Sequence, residues 1–217
     1  MRILGVSGSA IKESNTDRAL KHLLEATGMR TEFIKLSDYD IRPCTACLGC
    51  IESNQCILKD DGVKLAEKAF KADALVVAGF TPYSTLDSRT KMFLERLYPL
   101  RHRHGLMGQK PGAAIVTSCV VGEHPQLPPA GQLGLDAIRY FMMEEGMNYV
   151  GGAIVPGNVP CLRCGENGQC QMSAIPMIHG PEAEVGEVEI NDIASNAPLL
   201  SQLEELAQAL VDDYYKG

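Results

Sequence analysis

Four of the eight cysteines in this 217-residue chain lie within thirteen positions, in the stretch CTACLGCIESNQC at residues 44–56. Their spacing is C-x2-C-x2-C-x5-C, and cysteine thiolates are ligands for both iron–sulfur clusters and zinc. Three cysteines two residues apart follow a short arc and can bind three corners of a cubane, while the longer spacer lets the fourth reach back. Structural zinc sites more often use two separated C-x2-C pairs. The spacing favours a [4Fe–4S] cluster on Cys44, Cys47, Cys50 and Cys56, with zinc and free or disulfide-bonded thiols as the alternatives.

A second group of cysteines occurs in the stretch CLRCGENGQC at residues 161–170. Cys119 ends one predicted strand, and Cys161 lies just beyond the next, so a parallel sheet would bring both to one edge. We predict that Cys119, Cys161, Cys164 and Cys170 form a second four-thiolate site. It would hold another [4Fe–4S] cluster or a structural zinc, and the alternative is free thiols in a flexible insertion.

Composition and charge restrict the partners that the protein can have. The net charge of −7 argues against a nucleic-acid binder that works by neutralising phosphates. The N-terminal apolar run is too short for a signal peptide, and no window reaches the roughly 18 apolar residues of a membrane span. We therefore predict a cytoplasmic protein without membrane contact, in which clustered cysteines indicate metal or redox chemistry before disulfides.

Strand and helix patterns alternate along the chain and must position these cysteines. Apolar runs predict strands at residues 2–6, 31–36, 74–80, 112–118 and 148–155, and amphipathic patterns predict helices at 16–28, 60–73, 84–100, 134–147 and 197–215. The alternation predicts one α/β domain over residues 1–217, a three-layer, doubly wound, parallel five-stranded sheet of flavodoxin-like order 2-1-3-4-5. A cysteine-rich cluster loop at residues 43–60 follows strand two, and a Cys/Pro/Gly-rich insertion at 156–197 precedes the last helix.

The loop after the first strand, SGSAIKESNT at residues 7–16, has the composition of an anion site. Small residues let backbone N–H groups approach an anion, and the following helix adds its positive N-terminal end. The loop matches neither GxGxxG nor GxxxxGK[ST], so a monophosphate such as that of FMN fits better than a dinucleotide or nucleoside triphosphate. An ordinary strand-to-helix turn is the alternative. The predicted contacts are Ser7, Ser9, Lys12, Ser14, Asn15 and Thr16.

Two further strand-end loops are expected beside this one. The segment TPYSTLDS at residues 81–88 offers a stiffening proline and a flat tyrosine ring, which would suit a planar heterocycle, although such a tyrosine more often serves packing. The segment TSCVVGEHP at 117–125 reaches the same edge. The predicted flavin contacts in these loops are Pro82, Tyr83, Ser84, Thr85, Thr117, Ser118 and Cys119.

The segments GVSGSAIKESNT, CTACLGCIESNQCILKDD and TPYSTLDSRTKMFLERL together resemble the iron–sulfur flavoproteins of anaerobes. This family is a branch of the flavodoxin-like NADPH-dependent FMN reductase superfamily, and the resemblance covers roughly residues 1–155 and the last helix. It implies FMN held by loops 7–16, 81–86 and 117–122, one cubane on the four cysteines of residues 44–56, and a homodimer or homotetramer. The loop GSAIKES departs from the usual GSPRK, SCVVGEHP replaces a glycine-rich loop, and residues 156–197 match nothing in the family.

The resemblance and the cysteine spacing together predict an electron-transfer oxidoreductase that uses FMN and a [4Fe–4S] cluster. Electrons would pass from a ferredoxin-type donor to a small acceptor such as O2, peroxide or a quinone. No side chain is predicted to be catalytic, because the cofactors carry the chemistry. One alternative is an NAD(P)H-dependent FMN or quinone reductase with structural zinc, and another is a non-enzymatic redox carrier or sensor. The basic stretch RHRH at residues 101–104 is a candidate contact for an acidic ferredoxin, although such loops are more often only solvated.

Overall fold

The computed structural model describes residues 1–164 and 170–216. Five strands and seven α-helices lie within these two ranges. The strands are β1 (Arg2–Ser7), β2 (Arg30–Lys35), β3 (Ala74–Phe80), β4 (Pro111–Ser118) and β5 (Asn148–Pro156). The helices are α1 (Asn15–Ala26), α2 (Asp61–Lys71), α3 (Ser88–Glu95), α4 (Ala130–Glu144), α5 (Cys161–Cys164), α6 (Ile175–His179) and α7 (Ala197–Lys216).

The five strands form one parallel sheet in the order β2-β1-β3-β4-β5. The chain moves from β1 outwards to β2 and then returns to place β3 on the other side of β1, so the strand order reverses between β1 and β3. All of β3 except its last residue is buried, as a central strand covered on both faces must be. This topology confirms the predicted doubly wound, flavodoxin-like sheet.

Helices cover both faces of the sheet and complete the predicted three layers. Successive residues of a strand point to opposite faces, so Val77 enters the core under α2, α3 and α4 while Val76 enters the core under α1 and α7. In α7, Leu203 and Leu210 lie seven residues apart on the buried side and have no exposed surface. The apolar stripe of each helix therefore accounts for its packing face.

Helix α3 is shorter than the sequence pattern predicts. It begins at Ser88 because the carboxylate Oδ1 of Asp87 accepts the N–H of Thr90 at 2.8 Å and caps the first turn. Four residues before the helix, Ser84 has a φ of 62°, which a right-handed helix does not admit. The helix ends at Glu95, and a separate turn of 3-10 helix follows. The first turn of α3 contacts the loop after β1, and Arg96, the residue after its last turn, contacts the cysteine loop.

The segment at residues 156–197 contains only short elements within the described ranges. These are α5, α6 and one turn of 3-10 helix, and residues 165–169 lie outside the description. Of all the helices in residues 1–164 and 170–216, none is both long and apolar enough to cross a membrane. The limits of the single domain, of the cluster loop at 43–60 and of the insertion stay predictions.

Asparagine side chains tie both ends of this segment to the start of α1. The backbone N–H of Asn191 donates to Oδ1 of Asn158 at 2.8 Å. The side-chain amide of Asn15 donates to the carbonyl oxygens of Asn191 at 2.7 Å and Pro156 at 3.3 Å. Asn15 therefore holds the insertion beside the loop that follows β1.

Two adjacent methionines in α4 provide a matched test of the core. Met142 has no exposed surface and packs against Gly112 of β4, whereas Met143 is 57% exposed. We expect Met142→Ala to lower the free energy of unfolding by about 2–5 kcal/mol, because it removes buried groups and leaves a cavity. Met143→Ala should change it by about 0.5 kcal/mol or less. Urea denaturation of both variants measures the difference, and equal losses would contradict this packing.

Candidate cofactor sites

The loops after β1, β3 and β4 meet at the carboxyl edge of the sheet. Thr16 and Thr117 share a hydrogen bond of 2.8 Å between their hydroxyls, which joins the start of α1 to the end of β4. The backbone N–H of Gly8 donates to the carbonyl of Ala78 at 2.8 Å, and that of Thr81 donates to the carbonyl of Thr117 at 3.1 Å. This edge, beside the point where strand order reverses, is where doubly wound sheets bind ligands.

In the loop after β1, one serine hydroxyl donates its hydrogen bond within the protein, and two others remain able to donate to a ligand. Ser7 donates to Oδ1 of Asp17 at 2.6 Å, so its proton is committed inside the protein. Ser9, which is buried, accepts from the N–H of Ile11 at 3.2 Å, and Ser14 accepts from the N–H of Asp17 at 3.1 Å as the cap of α1. Neither Ser9 nor Ser14 has an acceptor for its own proton in the parts of the chain described.

Backbone N–H groups at the start of α1 add to these donors. Those of Ser14, Asn15 and Thr16 have no acceptor among residues 1–164 and 170–216, as expected for the first turn of a helix. Together with the positive end of the α1 dipole, these donors fit a phosphate group. The exposed side chain of Lys12 makes no hydrogen bond within the described residues.

Three charged residues that the sequence interpretation did not include shape this loop. The carboxylate of Asp17 is buried, and the ammonium group of Lys35 pairs with it while also donating to the carbonyl of Ile11 at 2.8 Å. A buried carboxylate needs such partners, because isolated charge is costly in the interior. Arg89 of α3 donates to the carbonyl of Gly8 at 3.4 Å. The loop is therefore held from β2 and from α3 as well as from its own helix.

Gly8 itself is required by a close approach of the loop to α3. A Cβ atom at this position would lie 1.8 Å from Oγ1 of Thr90, and that hydroxyl is fixed by a 2.6 Å bond to Asp87. Any side chain at residue 8 would push the loop away from α3. The glycine thus lets the backbone of the loop lie directly on the first turn of this helix.

The loop after β3 holds Tyr83 in an unusual position. Tyr83 and Ser84 have φ values of 50° and 62°, in the left-handed region that residues with side chains rarely adopt. The Tyr83 side chain is fully exposed. Pro82 lies in the same turn, and Thr85 donates its N–H to the carbonyl of Pro82 at 3.3 Å. A strained backbone that presents a bare aromatic ring is typical of a binding site.

The loop after β4 places Ser118 and Cys119 beside the insertion. Ser118 is buried, and its hydroxyl donates to the carbonyl of Val120 at 2.8 Å. Thr117 and Cys119 are partly buried. Burial raises the pKa of the Cys119 thiol, and the charge of the neighbouring Cys161 raises it further. Cys119 and Cys161 are thus near enough for their charges to interact, and the second cysteine site stays a prediction.

The other members of that second cysteine set differ in exposure. Cys161 is partly buried and its Sγ accepts the N–H of Ala174 at 3.4 Å, whereas Cys164 and Cys170 are exposed. Among the residues described, no three cysteine, histidine or carboxylate side chains converge as ligands of a single metal ion would. This holds for both cysteine sets, so it does not distinguish them.

The four cysteines of residues 44–56 line one cavity of about 380 Å³, part of which is open to solvent. Cys50 is buried, Cys56 is partly buried, and Cys44 and Cys47 are exposed. Burial raises the pKa of Cys50, and the charges of the other three thiolates raise it further. Hydrogen bonding, first from Gly49, lowers the pKa of Cys47. The cavity thus offers four sulfur ligands in a partly desolvated setting.

The backbone between these cysteines turns sharply. Ala46 and Leu48 have φ values of 52° and 58°, so left-handed residues alternate with the cysteines and curve the chain around the cavity. The side chain of Asn54 donates to the carbonyls of Pro99 at 2.8 Å and His102 at 2.6 Å. These bonds fasten the cysteine loop to the turn that follows α3.

A buried ion pair closes the wall of the cavity. Arg96 donates to Oδ2 of Asp60 at 2.6 Å and to Oδ1 at 2.8 Å, and each side chain is 1% exposed. The guanidinium holds the pKa of Asp60 at about 2, and the carboxylate raises the pKa of Arg96. Arg96 also donates to Sγ of Cys56 at 3.4 Å. The sequence pattern gave no sign of this pair, because its members are 36 positions apart.

The base of the cysteine loop is closed by backbone contacts. Asp61 donates its N–H to the carbonyl of Asp40 at 3.0 Å, and its carboxylate accepts the N–H of Asp40 at 3.0 Å. One residue further in, the carboxylate of Asp60 accepts the N–H of Arg42 at 2.9 Å. Both ends of the loop are therefore joined before α2 begins.

The fold places the chain in the flavodoxin-like class. A solved structure described as a flavone reductase aligns with 99% of this chain and 63% of its own length, at 13% identity and a TM-score of 0.65. A flavodoxin from the domain Archaea aligns over 99% of both chains, at 14% identity and a TM-score of 0.53. Likeness at such low identity shows the fold alone.

Sequence comparison gives the family. A family model described as NADPH-dependent FMN reductase matches residues 1–126. An iron–sulfur flavoprotein of Archaeoglobus fulgidus is 31% identical over 163 residues, which are 73% of this chain and 72% of that protein. An iron–sulfur flavoprotein of Methanocaldococcus jannaschii is 32% identical over 119 residues, 54% of this chain and 62%, less than two thirds, of that protein. The chain belongs to the NADPH-dependent FMN reductase family, in its iron–sulfur flavoprotein branch, which confirms the resemblance noted in the sequence.

The buried pair gives the stability of the metal-free protein a specific pH dependence. The pKa of Asp60 falls from 3.8 to about 2 on folding, so its contribution is full above about pH 4 and is lost as the pH falls towards 2. Asp60→Asn should cost roughly 3–5 kcal/mol at pH 7, because it leaves the charge of Arg96 without its partner. The gap between wild type and variant should narrow between pH 4 and 2 in chemical denaturation.

The adjacent carboxylate is the control for this experiment. Asp61 is partly exposed and pairs with Lys64 at 2.8 Å, so Asp61→Asn should cost about 1 kcal/mol or less. Equal losses for the two variants, or a gap for Asp60→Asn that does not change between pH 4 and 2, would contradict the role assigned to the pair.

Proposed function

We propose that this protein is an electron-transfer oxidoreductase that uses FMN and one [4Fe–4S] cluster. The observation that carries the proposal is the presence of two separate sites of different chemistry in one chain. One offers hydroxyl and amide donors at the switch point of the sheet, and the other offers four thiols around one cavity. Membership of a family named for FMN reduction, with relatives named iron–sulfur flavoproteins, supports both cofactors.

The residues at the carboxyl edge fit FMN. Ser9, Ser14 and the first N–H groups of α1 would bind its phosphate, and the exposed ring of Tyr83 would cover its planar ring system. Thr117, Ser118 and Cys119 would border the flavin from the β4 side. FMN would supply redox chemistry of one or two electrons, while these side chains bind and orient it.

The four-thiol cavity fits an iron–sulfur cubane better than a single zinc. All four thiols line one cavity, and their C-x2-C-x2-C-x5-C spacing differs from the two separated C-x2-C pairs of most structural zinc sites. The cluster would supply one-electron transfer, and Cys44, Cys47, Cys50 and Cys56 would ligate it as thiolates.

We propose a ferredoxin-type donor and a small acceptor such as O2, peroxide or a quinone. The turn at residues 101–104 supports donor docking near the cluster, because Asn54 binds the carbonyl of His102 and so holds this turn against the cysteine loop. Its arginines already pair with carboxylates, Arg103 with Glu52 at 2.5 Å and Arg101 with Glu145 at 3.5 Å, so the support rests on position and not on free positive charge. The family name favours a second candidate, NAD(P)H as direct donor in a flavin or quinone reductase. Rapid bleaching of the flavin absorption by NADPH, without ferredoxin, would show that NAD(P)H is the direct donor.

We further propose a homodimer or homotetramer located in the cytoplasm. Leu133 and Tyr140, seven residues apart on α4, and Met143 on the next turn all expose apolar surface, which supports self-association. Eight cysteines without a disulfide among them support a reducing compartment.

The cluster proposal predicts a composition that can be counted. Protein purified without oxygen should contain one FMN and at least four irons and four sulfides per chain. Cys50→Ser should lose the iron but keep the flavin, because it removes the most buried ligand. Ser53→Ala, an exposed position of the same loop, should keep both. Stoichiometric zinc in place of iron, with bare flavin absorption, would reject the cluster.

The same count tests a second metal site. We propose that Cys119, Cys161, Cys164 and Cys170 form a four-thiolate site for another cluster or for zinc, supported by the positions of Cys119 and Cys161 beyond the ends of the neighbouring strands β4 and β5. Eight irons per chain, or four irons and one zinc, would support it, and Cys161→Ser should then remove only the additional metal. Four irons without zinc would reject it.

The flavin proposal predicts that Tyr83 contributes to affinity. Stacking of a heterocycle on an aromatic side chain contributes about 1–3 kcal/mol, so Tyr83→Ala should weaken FMN binding by roughly 5- to 160-fold. Tyr215→Ala, which removes another exposed ring, on α7, should leave binding unchanged. Fluorescence titration of the flavin-free protein measures both, and equal affinities would exclude stacking on Tyr83.

A further inference from the structure

The guanidinium of Arg96 uses all four hydrogens on its two terminal nitrogens. Nη1 donates to Oδ2 of Asp60 at 2.6 Å and to the carbonyl of Arg42 at 2.7 Å. Nη2 donates to Oδ1 of Asp60 at 2.8 Å and to Sγ of Cys56 at 3.4 Å. Three of these bonds hold the guanidinium in place, and the fourth is directed at a sulfur.

That sulfur belongs to the cysteine furthest along the loop from the other three. Cys56 follows Cys50 by six positions, across a turn in which Asn54 has a φ of 53°, and its Sγ accepts a hydrogen bond from Arg96. A guanidinium provides this geometry because it is planar and presents a rigid fork of donors. A lysine ammonium has three donors and no fork, so it could not hold Asp60 on both oxygens and still reach Sγ in the same way.

The Asp60–Arg96 pair affects the four-cysteine cavity mainly through a short-range hydrogen bond. Asp60 and Arg96 together carry no net charge, so their effect at long range largely cancels. The N–H directed at Cys56 acts at short range and in a buried setting, where hydrogen bonds are strong. A donor to a thiolate binds more tightly as that sulfur becomes more negative.

We propose that Arg96 positions Cys56 and raises the reduction potential of the cluster through its hydrogen bond to that ligand, with Asp60 fixing the direction of the donor. The inference rests on the proposed function, in which a cluster occupies the four-thiol cavity. When one electron arrives from the ferredoxin-type donor, negative charge spreads onto the ligand sulfurs and no proton is transferred. The Arg96 donor stabilises that added charge, and hydrogen bonds to sulfur are known determinants of cluster potential.

The test is an anaerobic redox titration of the intact holoprotein and three variants. Arg96→Lys keeps the charge and loses the fork, and Arg96→Met removes both. Arg42→Gln is the matched control, because Arg42 also approaches Asp60, at 3.7 Å, but makes no bond to a cysteine in the described residues. We expect Arg96→Lys to lower the equilibrium constant for one-electron reduction about tenfold, a fall of about 59 mV, and Arg96→Met to lower it further, because it also leaves the charge of Asp60 without its partner. Arg42→Gln should keep the wild-type potential.

The outcomes separate this inference from the function on which it rests. Wild-type protein without iron would overturn the proposed function and the inference with it. Four irons in wild type and in Arg96→Lys, at the same potential, would overturn the inference alone and make Arg96 a structural residue.

If the Arg96 variants do not fold, a measurement on wild-type protein can test the hydrogen bond from Arg96 to Cys56. In wild-type protein labelled with 15N-arginine, electron–nuclear spectroscopy of the reduced cluster should show coupling to a guanidinium nitrogen. Arg42→Gln should retain that coupling. No 15N coupling in the reduced wild-type protein would overturn the hydrogen bond to Cys56.

Discussion

A buried ion pair between Asp60 and Arg96 organises the part of this molecule that regular secondary structure does not. Residues 39–60 contain neither helix nor strand, yet four thiols must be held in a fixed arrangement there. Taking two charges out of water is costly, and the cost is repaid only when the geometry is good and most of the polar atoms are hydrogen-bonded. Here both carboxylate oxygens and all four terminal guanidinium hydrogens have partners, while the buried Nε of Arg96 has none among the described residues. The pair therefore converts a flexible loop into a defined wall of the cavity.

Helix α3 connects this wall to the flavin-type site. Its first turn contacts the loop after β1 through Arg89 and Thr90, and the residue that follows its last turn is Arg96. Seven residues of helix rise about 10 Å, so one short rigid element touches both sites. The parallel sheet supplies the complementary constraint, because it leaves every strand-end loop on the same edge.

Much of the fold could be predicted because its determinants are local. The apolar run of β3 and the stripes of α1, α2 and α7 lie in consecutive residues, so strand order and layers followed from general rules of topology. The thiol site was visible because four cysteines are close in sequence. The order of β4 and β5, which Cys119 and Cys161 follow, was also predictable.

The charged residues that complete the sites could not be predicted in this way. Arg96 and Asp60, like Lys35 and Asp17, meet only after folding, and an arginine or lysine in an amphipathic helix or edge strand normally faces water. The left-handed backbone of Tyr83 has no signature in its side chain. Ser7 illustrates the opposite error, because a hydroxyl expected to bind phosphate donates instead to Asp17.

The closed base of the cysteine loop allows the loop to change in length during evolution. Residues 40 and 61, joined by two hydrogen bonds, fix the distance between the ends of the loop independently of what lies between them. The entropy of closing a loop grows only slowly with its length, so insertions or deletions between these positions cost the sheet little. The cysteine loop is in this sense a transferable module, and a flavodoxin-like scaffold could gain or lose it without rebuilding its core.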